Sequence, residues 1–309
     1  MIAPEDIRTV AVVGTGAIGT SWATLVLDRG LDVVATDPAP GAEDRLLASL
    51  EPTRSAGSVR FVADTVEAVG GADLVLESGP ERLELKRELF GLLDAATEPD
   101  VLLASSSSGL PPSSFQRGCR YPERVLVTHP FNPPHLVPLV EVVGGADTSE
   151  EAVDSAMAVM RHLGKSPIRL RRELPGHVAN RLQAALWREA YYLVGEGVVS
   201  VTDLDLAISS GPGLRWALLG PFATQHLSGG PGGLAHVLEH LGPPMVEWWD
   251  DLGSPELTPE LVATLVEGVR EELGGREEVV AATRDEALRE LLETKARLGL
   301  DAPAAREVR

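Results

Sequence analysis

The chain has 309 residues, enough for about two domains at roughly 150 residues each, and its 44% apolar and 24% charged residues are those of a folded globular protein. With 27 basic against 46 acidic residues, a formal net charge of −19 and no Lys/Arg-rich run, it offers no footprint for a nucleic-acid backbone. A single cysteine, Cys119, excludes an intramolecular disulfide and a cysteine metal centre, and points to a reducing, cytoplasmic setting.

Thr9 to Val13 form a β-branched run that ends in glycines, and residues 17 to 29 follow with apolar positions at helical spacing. The pattern predicts strand, tight turn and helix. It does not predict a membrane span, because Glu5, Asp6 and Arg8 precede the stretch and glycines interrupt it. Leu31 to Thr36 predicts a second buried strand ending at Asp37, closed by the turn Pro38-Ala39-Pro40-Gly41. Further strands are expected at Val59 to Val62, Asp73 to Leu76, Val101 to Ala104 and Val125 to Thr128, with helical patterns between most of them, notably Glu81 to Ala95. The alternation predicts an α/β fold, a Rossmann-like doubly wound parallel sheet over residues 1–173.

From residue 174 to 309 the strand signals stop, and a smaller all-helical domain is expected, with helices at Pro175 to Glu196, Thr202 to Ser209, Thr258 to Leu273 and Glu277 to Leu298. Thr258-Pro259 is a helix start with an N-cap hydroxyl and a first-turn proline. Leu261, Val262, Leu265, Val266 and Val269 then give that helix one face expected to be buried. The uncharged stretch Trp216 to Leu238 holds prolines, glycines, two histidines and Gln225, so it is not a lipid-facing helix. Ser228 to Gly233 reads as a mobile loop, Gly242-Pro243 as the end of the segment holding His236 and His240, and Ala302 to Arg309 as a loose tail.

Gly14-Thr15-Gly16-Ala17-Ile18-Gly19 places Gly-x-Gly-x-x-Gly between the first strand and first helix. There glycines permit a tight turn, close approach of a pyrophosphate and close helix packing, with the helix N-terminus facing the negative charge. Asp37 ends the second strand 18 residues after Gly19, where a carboxylate can accept from both ribose hydroxyls and would repel a 2′-phosphate. With no cation after Asp37 until Arg45, NAD is expected rather than NADP. A second constellation is His129-Pro130-Phe131-Asn132-Pro133-Pro134, with Glu141 12 residues beyond His129. An imidazole at the carboxyl edge of the sheet, with the ordinary histidine pKa of about 6.5, could take a proton from a hydroxyl as hydride leaves the carbon. Glu141, among apolar strand residues, is costly to bury unless paired, and pairing with His129 would fix the tautomer. On spacing alone the two could equally be unrelated polar groups at strand ends.

These motifs, with Ser105-Ser106-Ser107-Ser108 and Pro175-Gly176-His177-Val178-Ala179-Asn180-Arg181, resemble the 3-hydroxyacyl-CoA dehydrogenase superfamily over nearly the whole chain. His129 to Pro134, Glu77-Ser78-Gly79-Pro80-Glu81-Arg82 and Gly213-Leu214-Arg215-Trp216 resemble its branch of L-carnitine and L-gulonate 3-dehydrogenases and lambda-crystallin. The resemblance implies an NAD-dependent oxidoreductase acting at the 3-hydroxy or 3-keto position of a small acid or acyl chain. It further implies His129 as general acid/base, Glu141 as its orienting partner, and Ser108 and Asn180 as hydrogen-bond donors to the substrate oxygen. Glu81 and Lys86 would lie near the nicotinamide half of the cofactor, and Arg215 would reach a substrate carboxylate, from a neighbouring subunit of a homodimer. The site would lie in the cleft between domains.

Two departures bear on the substrate. Only Pro38 to Ser58, with cations Arg45 and Arg54, fill the place of a longer basic insertion in relatives that act on CoA thioesters, and His135 stands where the carnitine-like relatives often have tyrosine. Trp187, Trp216, Trp248 and Trp249 are expected in the core, with an aromatic wall for a quaternary ammonium as the alternative. His162, His177, His226, His236 and His240 show no metal-binding spacing, so no catalytic metal is expected. A ketoreductase of polyketide-like intermediates and a non-catalytic, crystallin-like NAD-binding protein are the alternative readings.

Overall fold

The computed structural model describes residues 1–50 and 57–300; Arg54 and the tail Ala302 to Arg309 lie outside the described residues. The chain divides into two compact units, Met1–Arg181 and Leu182–Arg309.

The first unit is built on one eight-stranded sheet: β1 (Thr9–Val13), β2 (Asp32–Thr36), β3 (Val59–Phe61), β4 (Leu74–Glu77), β5 (Leu102–Ser105), β6 (Val125–Pro130), β7 (Leu139–Gly144) and β8 (Ser166–Leu170). Their order is β3-β2-β1-β4-β5-β6-β7-β8, so the winding reverses between β1 and β4, where ligands bind at the carboxyl ends of such strands. The pairs from β3 through β6 are all parallel, as the alternation predicted. The doubly wound sheet is mostly parallel, with β6 and β7 antiparallel to one another. The connection, residues 131–138, is too short for the dozen or more residues that a parallel crossover needs.

Residues alternate between two cores, one on each face of the sheet. Val10, Val12, Leu74, Leu76 and Leu126 pack on one face with Trp22 and Val26 of α1 (Ala17–Asp28) and with Val159 of α5 (Glu150–His162). Ala11, Val13, Val75, Leu103, Val125 and Val127 pack on the other with Phe90 and Leu93 of α4 (Leu83–Ala96). The helices α2 (Ala42–Ser49) and α3 (Thr65–Val69) flank β3, and the first turn of α6 (Ala179–Gly195) completes the unit. The period of two along each strand decides which polar residues can meet at the sheet's carboxyl edge.

The second unit is helical: the rest of α6, then α7 (Val201–Ser209), α8 (Pro212–Leu218), α9 (Pro221–Ser228), α10 (Gly233–Asp251), α11 (Pro259–Leu273) and α12 (Glu277–Arg297). Thr258 caps α11 through Leu261 N–H, as its sequence predicted. The face expected to be buried is not: Val262, Val266 and Val269 are exposed and, with Trp187, Tyr191 and Val194 of α6, line an apolar cavity of about 550 Å³. Trp216, Trp248 and Trp249 are likewise exposed rather than in a core. Instead of a loop, residues 230–232 form a single 3-10 turn, and α10 runs on through Pro243 and Pro244 instead of ending there. Among the described residues, no helix is long and apolar enough to cross a membrane.

Candidate active site

The glycine turn follows β1. Gly14 has φ +90°, and a Cβ there would stand 2.8 Å from the Ser78 carbonyl, while a Cβ at Gly19 would overlap the Gly14 carbonyl oxygen. At Gly16 a Cβ would meet nothing within 4 Å, so the backbone is open on that side. The first turn of α1 has no side-chain cap and no acidic residue, which leaves the N–H groups of Ala17 and Ile18 and the positive end of the helix for an anion. Asp37 is held against this turn: Oδ2 accepts from Thr15 N at 2.7 Å and Thr15 Oγ1 at 3.2 Å, and Oδ1 accepts from Ala39 N at 2.8 Å. Arg45 donates to the Pro40 carbonyl at 2.8 Å. Among the described residues no cation pairs with Asp37. The donor set fits a dinucleotide with free ribose hydroxyls.

His129 and Glu141 are directly opposite one another across β6 and β7, and both point to the α4 side of the sheet. His129 Nδ1 lies 2.9 Å from Glu141 Oε2, with His129 5% and Glu141 0% exposed. A carboxylate only accepts, so Nδ1 carries the hydrogen and Nε2 is left as the basic nitrogen. Glu141 Oε1 accepts from Val178 N at 2.8 Å and Ala179 N at 3.0 Å, the entry to α6. Burial pushes this carboxyl's pKa up, but the His129 bond and the two N–H groups outweigh it and hold the pKa below the usual carboxylate value. The 12-residue spacing is therefore a cross-strand pair made by a short antiparallel connection.

Two further carboxylates order the neighbouring strand ends. Glu81 Oε1 accepts from Ser107 Oγ at 2.6 Å, Gly109 N at 2.9 Å and Leu110 N at 3.0 Å, fastening the turn that presents Ser108. Burial opposes ionisation of Glu81, yet these bonds leave its pKa lowered. Lys86, expected near the nicotinamide half of the cofactor, is 1% exposed, and its Nζ binds Glu77 Oε1 at 2.9 Å and Oε2 at 2.8 Å. Glu77 and Ser105 are register partners on β4 and β5, and Ser105 Oγ donates to Glu77 Oε2 at 2.6 Å. Lys86 thus supports the carboxyl edge from beneath.

Ser108 is exposed and Asn180, on the first turn of α6, is half-buried; neither side chain bonds to another group among the described residues. Arg215 is exposed on α8 of the second unit. Sequence reasoning missed three contributors. Lys165, 7% exposed, donates from Nζ to the carbonyls of Pro134 and Val137 and lies 5.5 Å from the Trp22 ring, clamping the connection between His129 and Glu141. Burial, then Arg29, pull its pKa down to about 8. Ser21 Oγ fixes the same connection through His135 N at 2.9 Å and Nδ1 at 2.7 Å. The third, His177, is 1% exposed and packs beside His129. Lys165 is one of only three lysines in the sequence, which was its one signal. Cys119 is no nucleophile, since burial, then Asp94, push its thiol pKa up to about 12. Among the described residues no cluster of histidine, cysteine and carboxylates could hold a metal.

Residues 9–174 match the family model "3-hydroxyacyl-CoA dehydrogenase, NAD binding domain", and residues 176–270 match that family's C-terminal domain. The chain is 50% identical over 298 residues to an L-carnitine dehydrogenase of Nocardiopsis dassonvillei, covering 92% of this chain and 91% of that one. It is 46% identical over 311 residues, covering 95% and 97%, to a 3-hydroxyacyl-CoA dehydrogenase of Gibberella moniliformis. Among solved structures, a 5-formyl-3-hydroxy-2-methylpyridine 4-carboxylic acid 5-dehydrogenase superposes with a TM-score of 0.78 at 31% identity, covering 95% of this chain and 99% of that one. A glycine turn with Asp37, a buried histidine–carboxylate pair and these matches together place the chain in the 3-hydroxyacyl-CoA dehydrogenase family of NAD-dependent oxidoreductases acting on a CH–OH group.

Proposed function

We propose that the protein oxidises the 3-hydroxyl of a small free hydroxy acid, with L-carnitine as the substrate its relatives favour. The observation that carries the chemistry is the His129–Glu141 pair at the carboxyl edge of β6. Gly14, Thr15, Gly16, Ala17, Ile18 and Gly19 hold the pyrophosphate, and Asp37 holds the ribose hydroxyls. NAD, when bound, supplies the hydride acceptor. His129 Nε2 takes the hydroxyl proton, and the imidazolium that forms is stabilised by Glu141, whose other oxygen is held by the Val178 and Ala179 N–H groups. Ser108 and Asn180 donate to the substrate oxygen, Glu81 holds the Ser108 turn, and Lys86 holds Glu77 beneath it. Arg215 of a neighbouring copy would bind the substrate carboxylate. The protein works in the cytoplasm as a homodimer, in which a second copy covers Val262, Val266 and Val269.

The free-acid reading also follows from the short 38–58 segment, where Arg45 is already spent on Pro40. The Gibberella relative's name favours a CoA thioester as the second reading. NADH formation with L-carnitine, L-gulonate, L-3-hydroxybutyrate and L-3-hydroxybutyryl-CoA decides between them. Turnover of L-carnitine well above the other three is expected; a preference for the thioester overturns the substrate assignment.

A further inference from the structure

His177 has no role in the mechanism above, yet it is almost fully buried beside the pair. Its backbone has φ +50°, a left-handed conformation that costs free energy in a residue with a Cβ and persists where surrounding contacts over-determine it. Those contacts reach three separate pieces of chain. Nε2 lies 3.1 Å from the Ser107 carbonyl oxygen, next to Ser108. The ring centre lies 5.2 Å from that of His129, with the planes tilted by 44°. The two peptide groups that follow give their N–H groups to Glu141, and Asn180 comes next.

The carbonyl of Ser107 can only accept, so His177 Nε2 carries the hydrogen. Its Nδ1 is then a bare lone pair, buried and with no partner among the described residues. Burial pushes the pKa of this imidazole down by more than the Ser107 bond raises it; His129, Glu141 and Glu81 are the charged or titratable groups around it. A neutral ring here adds no second positive charge beside the imidazolium that forms on His129 during turnover. An apolar ring would fill the same space but leave the Ser107 carbonyl unpaired and the serine turn free to shift.

We infer that His177 is a positioning residue: a strut that sets the spacing between the Ser107–Ser108 turn, His129 and the start of α6. This role rests on the reading of His129 as the acid/base group. The test uses His177→Phe, which keeps a ring without the donor, and His177→Gln, whose amide can reach Ser107 and cannot titrate. His129→Ala serves as the control for the underlying reading. For His177→Phe a fall in kcat of about tenfold is expected, with substrate KM and NAD Kd within about twofold of wild type. His177→Gln should recover kcat to within about threefold and keep the wild-type pH profile of kcat/KM.

Wild-type kcat in His177→Phe would overturn the inference, and so would a His177→Gln as impaired as His177→Phe. A pH limb lost in His177→Gln would show instead that His177 itself carries the proton. Should His177→Phe fail to fold, kcat and the pH profile of His177→Gln decide alone. If His129→Ala turns over normally, it is the reading of the site, and not only the strut, that fails.

Discussion

Glu141→Gln removes one charge and no atoms' worth of volume from the centre of the site. The glutamine carboxamide has one acceptor and one donor end, whereas the site presents three hydrogens: His129 Nδ1–H on one oxygen, and Val178 and Ala179 N–H on the other. If the carboxamide oxygen faces Val178 and Ala179, its NH₂ faces His129 Nδ1. That forces the hydrogen onto Nε2, the nitrogen that must act as base. If it turns over, the NH₂ opposes two N–H donors. In either orientation the imidazolium formed during turnover loses its counter-charge. At about 4 Å between charge centres and an effective dielectric near 20, that attraction is about 4 kcal/mol, or about a thousandfold in rate. Steady-state NADH formation should show this loss in kcat, while NAD Kd, measured by quenching of protein fluorescence, stays within about twofold. A glutamine variant that keeps more than a tenth of wild-type kcat would refute the role given to Glu141.

Asp37→Ala removes the acceptor for two ribose hydroxyls; at about 1.5–3 kcal/mol for a hydrogen bond to a charged group, NAD Kd should rise at least tenfold. Binding of NADP should change little, so unchanged discrimination on titration with both cofactors contradicts the reading. Lys86→Met strands the fully buried Glu77 carboxylate and should cost about 3–5 kcal/mol in urea unfolding, whereas Glu77→Gln with Lys86→Met should cost much less. Equal losses in the two variants would mean that the ion pair is not what holds this edge. The lowered pKa of Glu81 gives a pH-dependent contribution: it is fully present above the ordinary value of 4.5 and is lost as pH falls through the lower folded-state value. The difference in unfolding free energy between wild type and Glu81→Gln should therefore shrink below pH 4.5, and a difference that grows there has the wrong sign.

The strands from β1 to β6 were legible because each is short, mostly apolar and set off by glycines, prolines or a helical stretch, and the end of the Val125 run already placed His129 at the carboxyl edge. The direction of β7 was not, since an apolar run reads the same in a parallel or antiparallel strand; only the length of the 131–138 connection carried that information. Asp37 and the glycine turn were found because their chemistry depends on local backbone geometry, which glycine spacing encodes. The pairing of Lys86 with Glu77 was not legible, because nothing local shows that a lysine reaches back nine residues to a carboxylate. His177 was passed over as a leftover histidine, because its significance lies in a positive φ and in contacts 48 and 70 residues away in sequence. The exposed tryptophans and the open face of α11 escaped for a different reason: helical spacing shows that a face is apolar, not what covers it.

On the proposed function, cofactor binding and proton transfer reside in separate groups, the former in the glycine turn with Asp37 and the latter in His129. NAD Kd and kcat for L-carnitine oxidation, measured on one preparation of His129→Ala beside wild type, test it most directly. The expected result is a Kd within about twofold and a kcat lowered by at least about a hundredfold. A variant that binds NAD equally well and still turns over at the wild-type rate would contradict it.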